Sequence, residues 1–476
     1  GNRWLLTELL RDTWHFGGLV ASDYGSIGEM MTHGLGDLPS VSAQALKAGT
    51  DMDMCTRGFV QTLEKSLEEG RVSMSDIDNA CRRVLEAKYI LGLFDDPYKF
   101  CDGKRRKKDI FTEENRRAAR DMAAETFVLL KNDNNLLPLE KKGKIALIGP
   151  LADTRANMAG TWCVAYTPDR YSTLKEGLER AVAGKAEILY AQGCNLTADA
   201  QMQKDAEFGR TIKRGDDNAM RAEALRVARD ADVIVCAMGE SSEMSGESSS
   251  RSDLTLPDIQ MSLLKELVAT GKPVVLLNFS GRPTVMTWES RHVPAIMNVW
   301  FGGSEAADAI ADVLFGDYNP GGKLPVTFYA GTAQLPDYED YRMEGRTYRY
   351  FSGKPLYPFG YGLSYTTFAI SKPKYRKGVL TVKVKNTGER DGDEVVQVYV
   401  RNPKDTDGPL KTLRAFRRVR VKAGESADVS ISLPRSTFEL WDEETNTMCV
   451  VPGKYVLMVG NSSADEDLRK ITVKVR

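Results

Sequence analysis

The chain has 476 residues, with 65 basic and 66 acidic side chains dispersed along it and a formal net charge of -1, so two to four domains are expected and nucleic acid is excluded as a partner for want of a basic footprint. Apolar runs such as residues 273–277 are far shorter than the roughly 20 residues needed to cross a bilayer, so no membrane insertion is expected. Seven scattered cysteines without a CxxC pair, and three histidines (His15, His33, His292) without metal-ligand spacing, give no basis for a disulfide framework, a zinc centre or a Ser-His-Asp triad; no metal or cofactor is called for.

The first residue is Gly, and no basic-then-apolar leader precedes the first helical stretch at 4–11, so the natural start is expected to lie upstream. Residues 18–23, Gly-Leu-Val-Ala-Ser-Asp, read as a strand with a polar end, followed by Gly25 and a helix carrying Ile27, Met30 and Met31 on one face. A second such unit follows, with a helix over 41–47, a strand around 49–54 and a helix through Leu63 and Leu67. After Ser75, taken as an N-cap, Ile77, Cys81, Val84, Leu85 and Tyr89 recur at helical spacing. Consecutive βα units imply a parallel sheet closed as a barrel, yet a (β/α)8 barrel takes about 250 residues. Residues 1–100 are therefore expected to be the C-terminal part of a TIM barrel, and the charged stretch that follows, 101–117, an unstructured linker.

A helix is predicted over 115–130. Strand-like runs at 144–149, 231–236 and 273–278 then alternate with helices at 220–229, 258–269 and 305–314, the pattern of an α/β three-layer sandwich over 118–330. Residues 331–368 read as a connecting segment rich in aromatics and glycine toward its end. Beyond it, runs at 379–384, 394–400, 427–433 and 454–459, with turn signals at Asn386-Thr387-Gly388 and Ala423-Gly424-Glu425, predict a β-sandwich of immunoglobulin or fibronectin type III-like form over 369–476. The fold class is α/β multidomain.

Two places offer chemistry. Asp23 falls where a barrel strand would end, the position of catalytic groups in barrel enzymes, although a carboxylate there can equally cap the next helix. The stretch 239–251 follows a buried strand and holds Glu240, Glu243 and Glu247 among small polar residues. It is either a surface loop or one that delivers a carboxyl group to a neighbouring site. Glycoside hydrolysis needs such a pair, one carboxylate to attack the anomeric carbon and one acid to protonate the leaving oxygen. Residues 145–150 lead into a helix as a nucleotide-binding strand does, but no G-x-G-x-x-G or phosphate loop follows.

Residues 17–25, Gly-Gly-Leu-Val-Ala-Ser-Asp-Tyr-Gly, resemble the glycoside hydrolase family 3 signature G-F-x-G-x-x-x-S-D-W-G, and Gly246-Glu247-Ser248-Ser249-Ser250-Arg251 is similar to its S-E-G-x-D-R motif. Gly302-Gly303-Ser304-Glu305, the run from Phe315 to Pro325 and the run from Tyr357 to Tyr365 agree. The resemblance spans nearly the whole chain, and the branch looks like the bacterial periplasmic β-glucosidases with a fibronectin type III-like end. It implies Asp23 as nucleophile, Glu247 as acid/base with Glu243 as rival and Glu240 orienting the loop, and Tyr24, in place of the usual tryptophan, beside the sugar. Trp162 is then a candidate aromatic wall for the leaving group, or else a core side chain. The implied activity is retaining hydrolysis of terminal β-D-glucosyl residues of a β-linked oligosaccharide or glycoside, in the periplasm or secreted. β-Xylosidase is the alternative within the family, a non-catalytic carbohydrate-binding scaffold the alternative outside it, and a homodimer stays open. The family's Lys-His pair and earlier barrel residues that hold sugar hydroxyls lie upstream of this sequence, so this chain alone is expected to lack much of that subsite.

Overall fold

A computed structural model describes residues 1–163, 167–206 and 212–475, which divide into two compact units, Gly1–Thr112 and Glu113–Arg476. The first unit opens with a π-helix, Trp4–Thr13, and continues through helices Ser26–Glu29, Leu38–Ala48, Gly58–Glu68 and Met74–Ile90. Local chemistry sets their ends. Asp37 accepts the Ser40 N–H at the start of Leu38–Ala48, and Gly49, at φ +114°, ends it. Met74–Ile90 begins at Ser73 and not at the expected Ser75, because Ser73 and Asp76 form a reciprocal capping box. Ile27, Val41 and Ala45, with Ala43, Leu46, Val72 and Ala80, supply the buried apolar contacts of this unit.

The strands expected at 18–23 and 49–54 are reduced to a single parallel bridge, Ala21 to Met52. Backbone bonds still join the two segments, and side chains add to them: the Asp51 carboxylate accepts the Val20 N–H and the Ser22 hydroxyl accepts the Met54 N–H. The stretch expected as an unstructured linker, 101–117, contains the short helix Arg105–Asp109, closed by an Arg105–Asp109 pair four residues apart, and the first turn of a helix Glu113–Thr126.

The second unit holds a six-stranded sheet: β1 (Val128–Asn132), β2 (Lys144–Ile148), β3 (Glu187–Ala191), β4 (Val233–Gly239), β5 (Val274–Phe279) and β6 (Ala295–Asn298), in the order β1-β6-β5-β4-β2-β3. All neighbours are parallel except β1, which runs antiparallel to β6. Every residue of β5 is buried, as expected of a parallel strand covered on both faces. Leu147, Val235, Val275 and Leu277 face helices Leu174–Val182 and Ala306–Phe315. Ile148, Ile234, Cys236 and Leu276 face Asp217–Asp230 and Asp258–Ala269. The helix predicted over 115–130 stops at Thr126, and Val128-Leu129-Leu130 becomes strand β1. A short, fully buried apolar run is compatible with either element, and pairing with β6 decides it.

The remaining residues include a β-sandwich. One sheet is β11 (Thr412–Val421), β10 (Gly392–Arg401), β15 (Gly453–Gly460) and β16 (Arg469–Val475); the other is β12 (Ser426–Ser432), β9 (Val379–Asn386) and β7 (Phe368–Ile370), with β8 (Lys374–Arg376) also on β9. A small hairpin joins β13 (Leu440–Asp442) to β14 (Thr447–Cys449). Along β9 exposure and burial alternate strictly, placing Leu380, Val382 and Val384 in the core with Val396, Val398, Leu457 and Val459. Ion pairs fasten the sandwich to the α/β part: Lys323 Nζ lies 2.8 Å from Glu394 Oε1 with both side chains largely buried, and Arg418 reaches Glu125 at 2.6 Å. The chain is thus an α/β multidomain protein with a C-terminal β-sandwich.

Candidate active site

In the first unit Asp23 sits on the segment bonded to residues 51–54. Val20 O accepts from Asp51 N at 2.8 Å, Met52 O from Ser22 N at 2.9 Å, and Met54 O from Gly25 N at 2.9 Å. Beneath this segment lies Asp51, 6 % exposed, whose two carboxylate oxygens take Arg11 Nη2 and Arg83 Nη1, each at 2.7 Å. One of them also accepts the Val20 N–H at 2.9 Å. The backbone that presents Asp23 is therefore bolted to a buried ion-pair cluster. Asp23 itself is exposed, its Oδ1 accepting the Tyr24 N–H at 2.7 Å. It does not cap the following helix: Gly25, at φ +70°, holds the cap position of Ser26–Glu29 and no side chain serves it. Tyr24 projects next to it, 72 % exposed.

In the second unit the order of the parallel strands reverses between β2 and β4, since β2 leads outward to β3 and β4 leads the other way to β5. The crevice at the carboxyl ends of such strands is where open α/β sheets bind ligands. Glycine permits the close approach of the chains there. A Cβ at Gly149 (φ +137°) would stand 2.1 Å from Ala237 O, and one at Gly239 (φ +129°) 2.0 Å from Phe279 O.

The loop leaving β4 is organised by Glu240, which is fully buried. Its Oε1 pairs with Arg251 Nη1 at 2.5 Å and its Oε2 with Arg282 Nε at 3.2 Å, while the Ser280 hydroxyl donates to it at 3.0 Å and Ser245 also donates. Arg282 additionally donates to the carbonyls of Met244 and Ser249. Both ends of the loop are thus clamped, and its crest, Glu247-Ser248, is exposed, with Ser248 at φ +62°. Glu243 lies lower, in the turn Ser242–Ser245, and is only partly exposed. Past the loop, the Thr255 backbone N–H holds the Asp253 carboxyl below its ordinary pKa.

The loop after β2 packs against this one. Thr161 Oγ1 donates to Ser242 O at 2.7 Å, Ser242 N and Oγ both reach Ala156 O at 2.9 Å, and a Cβ on Gly246 would meet Thr161 Cγ2 at 2.5 Å. Trp162 and Glu247 thus each lie one residue beyond the contact between Thr161 and Gly246. Trp162 is 74 % exposed, which rules out the core-packing role its sequence position left open. The structure brings Trp162 and the Glu247 loop together in one unit, and Asp23 with Tyr24 in the other.

Sequence reasoning missed Asp51 with Arg11 and Arg83, and missed Arg282 and Ser280 around Glu240. The available signal was a charged or polar residue directly after an apolar strand run, as in Ser280-Gly281-Arg282 after β5.

Comparison with known proteins agrees over the whole chain. The model described as glycosyl hydrolase family 3 C-terminal domain matches residues 127–365, the family 3 N-terminal domain model matches 1–87, and a fibronectin type III-like domain model matches 394–463. A periplasmic beta-glucosidase of Salmonella typhimurium is 39% identical over 97% of this chain, which spans 64% of that relative's length. A xylan 1,4-beta-xylosidase of Xylanibacter ruminicola is 31% identical, with 99% of this chain and 71% of that protein covered. Among solved structures, a beta-glucosidase from Listeria innocua in complex with isofagomine superposes with a TM-score of 0.85 at 33% identity, covering all of this chain and 66% of that one. With one family model spanning half of its length and two more flanking it in order, the chain belongs to glycosyl hydrolase family 3.

Proposed function

We propose that this chain carries the two catalytic carboxyl groups of a retaining β-glucosidase. Asp23 attacks the anomeric carbon of a terminal β-D-glucosyl residue while Glu247 gives its proton to the departing glycosidic oxygen, leaving a glycosyl ester on Asp23. Glu247, now a carboxylate, takes a proton from water as that water attacks the same carbon, releasing the sugar with retained configuration and freeing Asp23. Tyr24 flanks the sugar and Trp162 offers an aromatic wall to the leaving group. Residues 1–100 act as the C-terminal part of a TIM barrel, 118–330 as the α/β sandwich and 369–476 as the fibronectin type III-like domain, and the protein works in the periplasm or outside the cell.

One observation carries the reading of Glu247: it stands exposed at the crest of a loop clamped at both ends by Glu240, at the strand-order reversal of a parallel sheet. The test is hydrolysis of aryl β-glucoside and aryl β-xyloside by this chain, alone and joined to the N-terminal barrel half. Asp23→Asn is expected to abolish turnover. Glu247→Gln is expected to slow poor leaving groups most, with azide restoring the rate and yielding the β-glycosyl azide. Wild-type turnover by Asp23→Asn refutes the assignment, and azide rescue of Glu243→Gln in place of Glu247→Gln moves the acid/base role. A β-xylosidase is the second reading, favoured by the Xylanibacter relative, and the better of the two substrates decides between them.

A further inference from the structure

A cleft of about 760 Å³ lies between the segment 348–361 and the loop 463–470 of the β-sandwich. It shares no lining residue with the Glu247 loop. Two stacked pairs of rings stiffen its aromatic side: Tyr348 on Phe359, with centroids 4.2 Å apart, and Tyr357 on Tyr361 at 5.5 Å. Phe351 extends the same wall. The opposite loop is held in place by Lys411, whose buried ammonium donates to Ser463 O at 2.8 Å and to Asp465 Oδ1 at 3.1 Å, and by Ser463 N, which donates to Phe359 O at 2.9 Å. The site is built before any ligand arrives.

Its electrostatics narrow what fits. Lys354, Arg401, Lys411 and Lys470 face Asp465, Glu466 and Asp467, and Asp465 is shared by Lys411 and Lys470, so the charges largely cancel and neither an anion nor a cation is selected. Glu466, on the exposed part of that loop, also lines the cleft. The volume is in the range of small-molecule sites, which combine aromatic walls with a few fixed polar groups.

We propose that this cleft binds a neutral short oligosaccharide, its ring faces against the tyrosine and phenylalanine wall and its hydroxyls on the carboxylates of the 465–467 loop. The inference goes beyond the proposed hydrolysis: the cleft would hold glycan without cleaving it.

The probe is cellotriose, with xylotriose in parallel, titrated calorimetrically into the full chain carrying Asp23→Asn, with and without saturating isofagomine. One site per chain is expected to persist under isofagomine, with hydrogen-exchange protection at 351–361 and 463–467. Glu466→Ala is expected to weaken binding about fivefold through the lost hydrogen bond, and Phe351→Ala about tenfold. Glu466 is exposed, so Glu466→Ala decides the matter should Phe351→Ala not fold. Complete displacement by isofagomine, affinities unchanged in both Glu466→Ala and Phe351→Ala, or no binding by the folded chain overturns the proposal. Turnover of aryl glycosides by the wild-type protein is scored separately. Turnover without cleft binding refutes the cleft alone, and cleft binding without turnover by the chain joined to the N-terminal barrel half refutes the hydrolase reading alone.

Discussion

Replacing Glu240 by alanine is the sharpest test of how the Glu247 loop is held. The carboxylate is fully buried and serves Arg251, Arg282, Ser280 and Ser245 at once. Removing one partner of a buried ion pair costs about 3–5 kcal/mol because the other charge stays behind unpaired. Here the two arginine side chains keep 21% and 20% exposure, and each retains carbonyl partners, Thr255 O for Arg251 and Ser249 O for Arg282. Water and those carbonyls take up part of the loss, which lowers the figure to about 2–3 kcal/mol. The cost is local, so hydrogen exchange by mass spectrometry is the assay, comparing peptides over β4 and residues 240–251 with peptides from the β-sandwich. At about 1.4 kcal/mol per tenfold, exchange in the loop should accelerate roughly 30- to 150-fold in Glu240→Ala while β9 and β10 are unchanged. Glu240→Gln, which keeps the shape and one acceptor oxygen, should lie between the two. A loop acceleration under threefold, or an equal acceleration in the β-sandwich, would refute the clamp.

Two further outcomes follow from buried carboxyl groups. Burial raises the Glu289 carboxyl to about 7 from its ordinary 4.5, against smaller opposing pulls from its backbone N–H and from Lys265, and its Oε1 has no hydrogen-bond partner. A raised carboxyl pKa costs nothing below pH 4.5, where both states are protonated. The penalty grows as the unfolded chain ionises between pH 4.5 and 7, to about 3 kcal/mol, and stays constant above. Glu289→Gln should therefore raise the urea midpoint at pH 8 much more than at pH 4.5; an equal shift at both would refute the burial argument. In the first unit, Asp51→Ala strands Arg11 and Arg83, and should raise exchange over residues 20–25 by a free energy of about 2–4 kcal/mol. Asp51→Asn, which can still accept the Val20 N–H, should lose less, and unchanged exchange in the alanine variant would show that the cluster does not hold the Asp23 segment.

How far the fold was legible depends on where each strand sits. The central strands β2, β4 and β5 are buried on both faces and read as continuous apolar runs, so the layered sheet was visible in the sequence. Its edge strand β3, Glu-Ile-Leu-Tyr-Ala, is half exposed and went unread. β11 went unread for a related reason: it carries Arg414, Arg417, Arg418 and Arg420 on a sheet edge, where charge blunts association with other strands and erases the alternation that marked β9. The strands expected around Asp23 failed differently. Backbone bonds there are mixed with side-chain ones, Asp51 and Ser22 taking the Val20 and Met54 N–H groups, and a pattern of apolar residues does not report such a mixture.

The site shows the same division between what solvent-facing chemistry reveals and what the interior conceals. Asp23 and Glu247 were nameable because acidic residues stand out beside glycine and serine in short motifs. Glu240 was named as orienting its loop, but its arginine partners and the Asp51 cluster were not, because a buried carboxylate is identified by its partners, and Arg11 and Arg83 lie 40 and 32 positions from Asp51. Yet the two units use one construction. Each exposed candidate carboxylate rides on backbone held by a buried carboxylate that two arginines grip, Asp51 by Arg11 and Arg83, Glu240 by Arg251 and Arg282. Such pairs contribute little net stability compared with apolar packing, so fold stability alone does not account for having two of them. What they supply is a polypeptide segment with one allowed position, because any displacement breaks several charge-assisted hydrogen bonds together. A reaction that needs its carboxyl groups within fractions of an ångström of their working positions depends on that restriction, and the expense of partly burying four guanidinium groups against two carboxylates is understandable on those terms.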